Sequence, residues 1–288
     1  MSLPSSPSLR RKMGLAIIAS VVGVVAVFLV KDVRFGEPHY KGVALGVWLR
    51  GYDPWTGDAW MRADEAVQAI GTNALPHLLT RLQLQPTTAR KFLLGSPFAN
   101  EIEQFRALRA CEALGPLALP LLPVLTNYFI SRSDGMAASA LRKVGSEGIH
   151  VLIQGLSHEK ESVRLAAVSE FERVPASFGA LAVPALLPFL QHKDESVRAK
   201  TARGLSAFPD QARASVPALL PLLHDRSEWP RQAAIYALGH MGTNAEPAVP
   251  KLIELCRKDN NTHVRFLARA YLHKINPVAL TNAGITFD

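Results

Sequence analysis

The sequence predicts an all-α protein, an α-solenoid of stacked helix pairs preceded by one transmembrane helix. Three observations support this prediction. The apolar residues make up 48% of the 288-residue chain and are mostly Ala, Leu and Val, whereas aromatic residues make up only 7%. Two short phrases recur along the chain with a nearly constant period of about 33 residues, which is typical of helical repeat proteins. An uncharged apolar run, 13–30, lies near the N-terminus.

The composition favours helices and argues against a polyanionic partner. Ala and Leu are strong helix formers, and long runs of β-branched and aromatic residues are missing. The formal net charge is +8, but half of it comes from four bases in the segment 1–31: Arg10, Arg11, Lys12 and Lys31. The other 28 bases are mixed with 24 acids, so the sequence shows no uniform basic stripe of the kind that follows phosphates.

The apolar run over residues 13–30 predicts the transmembrane helix. A helix of this length spans about 27 Å, close to the hydrocarbon core of a bilayer. Three bases precede the run, so the positive-inside rule places residues 1–12 in the cytoplasm and the rest of the chain outside it. A cleaved signal peptide is the alternative, but its apolar region is usually shorter and ends in a small-x-small site, which this run lacks. We therefore predict an uncleaved signal anchor in the cell membrane, with a helix of the soluble domain as a third alternative.

The first repeated phrase predicts one helix of each pair, helix A. It reads VRLAAVSEF at position 163, VRAKTARGL at 197, PRQAAIYAL at 230 and VRFLARAYL at 264. Its arginines keep the period of the repeat: Arg164, Arg198, Arg231 and Arg265. Apolar residues follow at helical spacing, for example Val197, Ala202 and Leu205. A polar turn such as HKDES precedes the phrase, and Asp194 or Ser196 is expected to cap the helix.

The second phrase predicts helix B and interleaves with the first. It reads VPALLPFL at position 183, VPALLPLL at 216 and VPKLIEL at 249, and related copies begin at 75, 119 and 149. Proline suits the first helical turn, where an N–H has no intrahelical partner. We therefore expect helix B to begin at these prolines: Pro184, Pro217 and Pro250. A single pair cannot bury both its faces, but a stack of pairs can.

The pattern of V-P-x-L-L, a polar turn and V-R-x-x-A resembles HEAT repeats in their short bacterial form. The resemblance covers residues 61–275, with six to seven repeats and an insertion near residues 82–100. It implies that the arginine opening helix A bonds to acids or carbonyls of the adjoining turn. The acids that recur three residues before these arginines are the expected partners: Glu161, Glu195 and Glu228.

The remaining parts of the chain flank the repeats. Residues 31–60 are expected to form a juxtamembrane linker and N-terminal cap, similar to such stretches in anchored bacterial HEAT-repeat proteins. Their aromatic residues would cover the apolar end of the first repeat: Tyr40, Trp48, Tyr52, Trp55 and Trp60. Residues 276–288 are predicted to form a C-terminal tail. The insertion breaks the repeat period and is either a surface loop or a short extra helix.

The sequence holds no convincing catalytic or metal site, so we predict no enzyme activity, no metal and no cofactor. His158, His192 and His224 recur in matching turns and suggest a metal ladder, but each turn supplies one His while zinc ligands must lie within about 3.5 Å of each other. Polar turn chemistry is therefore the better interpretation. Asp53 and Asp58 fit an ordinary turn better than a calcium or sugar contact. Cys111 and Cys256 form no zinc spacing and leave the redox compartment open.

These observations favour a membrane-anchored scaffold or adaptor that binds a protein or peptide along its repeats. Extended repeat surfaces supply contact area rather than a catalytic pocket. A nucleic-acid-binding protein is the alternative. A repeat enzyme of the lyase or di-iron hydroxylase type is less favoured, because the chain holds only one His-Glu dipeptide and no distinctive pigment site.

Overall fold

The computed structural model describes residues 36–53, 58–83 and 99–285. The predicted cytoplasmic tail 1–12, the transmembrane segment 13–30, Trp55 and most of the insertion near 82–100 lie outside these residues. The prediction of an all-helical repeat fold is confirmed, apart from one short hairpin of two strands. The chain divides into two compact units, residues 1–127 and 128–288.

Unit 1 begins with an antiparallel hairpin and continues with helices. Its elements are β1 (His39–Tyr40), β2 (Val43–Ala44), α1 (Leu45–Leu49), α2 (Ala59–Ile70), α3 (Leu75–Leu82), α4 (Ala99–Leu114) and the first part of α5 (Leu122–Arg132). In the hairpin, His39 pairs with Ala44 and Tyr40 pairs with Val43. Three short 3₁₀ segments connect the helices: Arg50–Tyr52, Gly71–Ala74 and Gly115–Leu121.

Aromatic side chains fix the N-terminal segment of unit 1 in place. Tyr52 is fully buried, and its hydroxyl donates to Asp64 in α2 at 2.7 Å. The Trp48 indole N–H lies 3.2 Å from the carbonyl oxygens of Tyr40 and Val43, so it spans the hairpin. Buried Tyr and Trp side chains need such partners for their polar atoms.

One helical stretch of unit 1 and the start of unit 2, Asn100–Arg132, is long and apolar enough to cross a membrane by length and composition alone. The first helix of this stretch, α4, packs against α2 and α3. Its residues Leu108, Cys111 and Leu114 are buried there. Core helices of water-soluble domains satisfy the same test of length and composition, and the packing of α4 is that of a core helix.

Unit 2 is built from helix pairs. Its helix A elements are α6 (Gly135–Val144), α8 (Glu161–Glu170), α10 (Glu195–Leu205), α12 (Glu228–His240) and α14 (Thr262–Ile275). Its helix B elements are α7 (Ser146–Leu156), α9 (Gly179–Leu186), α11 (Ala212–Leu219), α13 (Val249–Lys258) and α15 (Pro277–Asn282). Successive A helices pack side by side, from α6 to α14.

The core of unit 2 follows the predicted apolar periodicity of helix A. Val197, Ala202 and Leu205 of α10 are buried, as are the matching residues Ala234 and Leu238 of α12. At about 25 cal/mol per Å² of apolar surface, burial of each such leucine contributes roughly 2 kcal/mol. The region predicted as a C-terminal tail contains α15, whose Leu280 is also buried.

The prolines of helix B are placed differently from the prediction in two repeats. Helix α9 begins at Gly179, so Pro184 lies in its interior, and Pro217 lies in the interior of α11 in the same way. Each helix then changes to a 3₁₀ segment, Leu187–Gln191 or Leu220–His224. Interior proline removes one N–H and crowds the carbonyl four residues earlier, which explains the early change of helix type. Pro250 does lie in the first turn of α13, as predicted.

Glycines with positive φ end two of the A helices of unit 2. Gly145 has φ 115° between α6 and α7, and Gly242 has φ 60° after α12. L-residues with a side chain rarely adopt this conformation. The change of chain direction at these two turns therefore requires glycine.

Candidate interaction surface

The candidate site of unit 2 lies along the turns that lead from each helix B into the next helix A. Side-chain capping fixes the start of α6, α10 and α14. The Asp194 side chain accepts the Ser196 N–H at 2.7 Å, as predicted, and Asn261 accepts from His263 and Val264. The first arginine of helix A follows the capping residue by four positions, for example Arg198 after Asp194. Each of these arginines therefore has the same position relative to the start of its A helix.

Arg198 connects two successive turns. Its Nη1 donates to the carbonyl oxygens of His192 and Lys193 in the preceding turn, at 2.8 and 3.1 Å. Its Nε and Nη2 donate to the two carboxylate oxygens of Asp225 in the next turn, at 2.7 and 2.8 Å. Both side chains are about nine-tenths buried, at 9% and 10% exposure. Such two-point arginine–carboxylate contacts are among the strongest hydrogen bonds in proteins.

Arg231 repeats this arrangement one repeat later. Its Nη1 donates to the Asp225 carbonyl at 2.8 Å, and its Nε and Nη2 donate to the Asp259 carboxylate at 2.8 and 2.9 Å. The Asp259 carbonyl in turn accepts from Arg265 at 2.6 Å. An alternating chain of guanidinium groups and aspartates therefore runs along this edge from Arg198 to Arg265.

The acids that bind these arginines are not the predicted ones. The carboxylates belong to Asp225 and Asp259, so the predicted pairing with Glu195 and Glu228 is wrong. The reason is geometric, because Nη1 is held by the carbonyls of the arginine's own turn and the other two donors then point to the next repeat. Glu228 instead accepts from the side-chain amide of Asn261, the capping residue of the following A helix.

Glu161 also contacts a capping residue rather than an arginine. Its carboxyl group lies near that of Asp194, the capping residue of α10. Arg164, its predicted partner, donates from Nη1 to the carbonyl oxygens of His158 and Glu159, both at 2.7 Å. Of the two acids Glu161 and Glu228, Glu228 joins its repeat to the cap of the next by a hydrogen bond.

The contact between Arg198 and Asp225 changes the pKa of both groups. The Asp225 hydrogen bond raises the pKa of Arg198, although burial opposes this. Burial alone would raise the pKa of Asp225, but hydrogen bonds from Arg198 and from the Ser227 amide outweigh it and hold the pKa below its ordinary value. The ionised pair is thus the stable form at neutral pH.

Two histidines occupy the place that aspartate has in the later turns. Asp225 and Asp259 each accept a backbone N–H from the residue two positions on. The Nδ1 of His158 and the Nδ1 of His192 accept the same backbone N–H, from Lys160 and Asp194, each at 3.1 Å. This is polar turn chemistry, and His192 offers no carboxylate to the arginine of the preceding repeat. The Nε of Arg164 is buried and has no hydrogen-bond partner among the described residues.

Two shallow clefts open along this edge. The larger has a volume of about 470 Å³ and is lined by Gln191, His192, Lys193, Arg198, Asp225 and Arg226. Arg198 and Asp225 neutralise each other, which leaves Lys193 and Arg226 as the cations of this cleft. The other cleft, of about 330 Å³, lies one repeat further and includes Lys258 and the pair formed by Lys251 and Glu254.

Aromatic side chains are exposed in two of the A helices that begin at this edge. Trp229, three residues after Arg226 in the first turn of α12, is 59% exposed. Phe266 in α14 is also 59% exposed, and the His263 ring stacks on it with 6.3 Å between ring centroids. Large apolar side chains next to open charged clefts are typical of surfaces that bind a partner.

The described residues hold no group of three His, Cys, Asp or Glu side chains that could bind a metal ion. Asp53 forms a two-point ion pair with Arg106, at 2.9 and 2.8 Å, within unit 1. Burial raises the pKa of Cys111 to about 12 and that of Cys256 to about 11. Thiols with such pKa values are poor nucleophiles at neutral pH, so the arrangement suits binding rather than thiol chemistry.

Residues 183–273, which include this edge, match the family model described as HEAT repeats. This part of the chain consists of HEAT repeats. The match covers the interval from the second half of α9 to the end of α14, which is the region where the phrases are most regular. No curated protein matches the sequence.

The HEAT repeats have solved structures of similar fold. An engineered protein solved by a structural genomics consortium is 18% identical, with a TM-score of 0.47, over 83% of this chain and 71% of that one. A designed armadillo repeat protein in complex with the peptide (KR)4 is 19% identical, with a TM-score of 0.45, over 70% and 99%. A second designed armadillo repeat protein is 18% identical, with a TM-score of 0.42, over 70% and 100%.

Sequence reasoning missed the two aspartates that bind the arginines of these HEAT repeats. A signal was present, because Asp225 and Asp259 hold the same place in successive repeats and each lies two positions before a helix cap. In the two earlier turns the same place is held by His158 and His192. A comparison of all four turns therefore shows no acid at this place that they have in common. The glutamates recur more regularly, and that regularity led to the wrong partner.

Proposed function

We propose that the protein is a single-pass membrane-anchored HEAT-repeat scaffold that binds a protein or peptide partner without catalysing a reaction. The observation that carries the proposal is the turn edge of unit 2, which has two open clefts and, in the A helices that begin there, two exposed aromatic side chains. These groups do not contribute to the buried core. The packing of the repeats does not require the two aromatic side chains to be exposed, so they are available for contact with a partner.

The membrane part of the proposal rests on the sequence of residues 13–30. An uncharged run long enough to cross a bilayer follows three bases, which supports a cytoplasmic position for residues 1–12 and an extracytoplasmic position for the repeats. Anchoring confines a scaffold to two dimensions and raises its effective concentration toward membrane-bound partners. A binding surface of modest affinity is sufficient under those conditions.

The proposal is tested by site-specific crosslinking of the full-length protein in its native membrane. A photoreactive amino acid replaces Trp229 in one variant and Val278, which is 64% exposed in α15, in the control variant. We expect one or a few adducts of defined mass from position 229 and none from position 278. No adduct from position 229, or turnover of a substrate by the purified protein without a partner, would contradict the scaffold function.

A further inference from the structure

We propose that the cleft between the turns at residues 191–195 and 224–228 binds an acidic peptide segment in polyproline II conformation, with carboxylates on two residues three positions apart. This inference rests on the proposed scaffold function and names the chemistry of its partner. The cleft would take one carboxylate at Lys193 and the other at Arg226. An apolar side chain of the same segment would contact Trp229.

The charge of the cleft supports an anionic occupant. Of its six lining residues, Arg198 and Asp225 satisfy each other by two hydrogen bonds. Lys193 and Arg226 are exposed, and their side chains make no ion pair or hydrogen bond within the part of the chain that the structure describes. The larger cleft therefore carries two cations that no internal carboxylate neutralises.

The acids closest to this cleft are Asp225, which lines it and is paired with Arg198, and Glu195, which is exposed near Arg198 but does not line the cleft. Asp194 caps α10 through the Ser196 N–H, and Glu228 accepts from Asn261 in the next repeat. Neither lines the cleft. The residues that line the cleft therefore carry a net positive charge, with Lys193, Arg198 and Arg226 against Asp225.

The repeat geometry sets the spacing of the two carboxylates. Lys193 and Arg226 hold the same position in successive repeats, and their A helices α10 and α12 pack together. Packed helices lie roughly 8–10 Å apart. A peptide in polyproline II conformation has three residues per turn and advances about 3.1 Å per residue, so side chains three residues apart lie on the same side of it and are separated by roughly 9 Å.

In the proposed complex, an apolar side chain of the peptide contacts Trp229. This contact adds affinity that the two carboxylates would not provide alone. Exposed charge pairs contribute little affinity by themselves. Tryptophan and arginine are enriched among the residues that dominate binding energy, and here Arg226 and Trp229 lie three positions apart. A nucleic acid fits less well, because phosphate tracking needs a continuous row of cations and the neighbouring cleft is balanced by Glu254 and Asp259.

The inference is tested with synthetic peptides and the full-length protein in detergent. The probe is a fluorescein-labelled peptide with Glu at two positions three residues apart and one Leu between flanking serines. Matched control peptides carry Gln at both positions, or Glu residues separated by one position only. Anisotropy at low salt should show that the spaced Glu peptide binds at least about tenfold more tightly than either control, and that added salt weakens binding.

Matched protein variants locate the site. We expect Lys193→Glu with Arg226→Glu to weaken binding of the spaced Glu peptide by about tenfold or more, and to favour a peptide with Lys at the two positions. The control, Arg213→Glu with Lys274→Glu, makes the same change in net charge at exposed residues away from the cleft and should leave binding unchanged. Equal thermal midpoints of the two variants would show that both fold.

Several outcomes would overturn the inference. These are equal binding of the Gln peptide, no binding of the spaced Glu peptide, loss of binding in the control variant alone, or tighter competition by a DNA oligonucleotide. The crosslinking experiment separates this inference from the scaffold function. An adduct at position 229 that survives Lys193→Glu with Arg226→Glu would leave the scaffold standing and overturn the acidic site. Specific peptide binding without any native adduct would support the site and overturn the scaffold.

Discussion

At the scale of single residues, the turn edge of unit 2 shows how one substitution changes the connection between repeats. Arg198 and Arg231 each reach a carboxylate in the following turn. Arg164 holds the same place in its helix, but the turn that follows α9 carries His192 instead of aspartate. Because the Arg164 Nε is buried without a hydrogen bond among the described residues, the series lacks one link at this repeat.

The substitution His192→Asp is expected to restore that link and stabilise the protein. Aspartate at this place can accept the Asp194 N–H, as Asp225 accepts the Ser227 N–H, and it can also bind Arg164. The gain should be about 1 kcal/mol, since hydrogen bonds to charged groups are stronger than neutral ones but partial exposure weakens them. Urea unfolding at neutral pH measures the change.

The matched control is His158→Asp, which makes the same chemical change one repeat earlier. Helix α6 carries Ala138 four residues after its capping residue Asp134, so no arginine faces the turn at 158. We expect no stabilisation from this change. Equal stabilisation by both substitutions would show that the gain comes from turn propensity and not from Arg164.

Asp225→Asn tests the arginine–aspartate contact and its dependence on pH. The pKa of Asp225 is lowered in the folded protein, so its ionised form contributes stability above the unfolded pKa near 4, and that contribution is lost as the pH falls through the lower folded value. Asparagine keeps an acceptor for Ser227 but loses the charge. We expect a cost of about 2 kcal/mol at pH 7 that largely disappears at strongly acidic pH.

The comparison variant for this experiment is Asp210→Asn, at an exposed residue of the 3₁₀ segment Pro209–Gln211. Urea unfolding of both variants at several pH values gives the profile. A constant difference between wild type and Asp225→Asn across the acidic range would mean that the charge of Asp225 does not contribute to stability.

At the scale of elements, the sequence predicted helix A well and helix B less well. The apolar periodicity of α10 and α12 is strong, and a polar turn with a capping Asp precedes α10, so its start could be found from local signals. In helix B, the residues before Pro184 are Gly, Ala, Leu and Val, which are compatible with a helix already under way. Packing, and not the local proline preference, decides where α9 begins.

Two glycines allow close contact between elements, and their replacement should differ in cost. A Cβ on Gly148 would overlap the backbone carbonyl of Leu141, which cannot move without disrupting α6. A Cβ on Gly239 would overlap the Tyr271 ring of α14, which can rotate away. We expect Gly148→Ala to destabilise the protein by about 3 kcal/mol or more, and Gly239→Ala by about 1–2 kcal/mol.

Gly135→Ala is the control for both glycine variants. Gly135 is the first residue of α6, and a Cβ there would meet no heavy atom within 4 Å. Alanine also has the higher helix propensity, so this change should be neutral or slightly stabilising. Thermal unfolding of the three variants gives the order of their stabilities. If Gly135→Ala destabilised the protein as much as Gly148→Ala, overlap of the new Cβ with neighbouring atoms would not be the cause of the destabilisation.

At the scale of the whole molecule, periodicity alone was sufficient to predict an all-helical repeat protein. It was not sufficient to place the division into two units within α5, because that boundary depends on which helices pack and not on which residues are apolar. The hairpin of unit 1 was also missed. Its strands have two residues each, too few for an alternating pattern to be recognised, and they are held by the Trp48 indole N–H.

The predicted membrane topology can be tested by labelling introduced cysteines, because the two native cysteines should not react quickly with the label. Cys111 is fully buried and Cys256 is 6% exposed, and burial raises the pKa of both thiols, so neither should react quickly with a thiol reagent. We introduce one cysteine before the apolar run by Ser5→Cys, and one at the exposed end of α15 by Asn282→Cys. Each variant is treated with a membrane-impermeant maleimide on spheroplasts.

If residues 13–30 anchor the protein with its N-terminus in the cytoplasm, Asn282→Cys is labelled on intact spheroplasts and Ser5→Cys only after permeabilisation. The wild-type chain should remain unlabelled under both conditions, which controls for the native thiols. The opposite pattern would mean that the bases before the apolar run do not set the orientation. Labelling of Asn282→Cys only after permeabilisation would place the repeats in the cytoplasm, and the acidic segment bound at Lys193 and Arg226 would then be sought among cytoplasmic proteins.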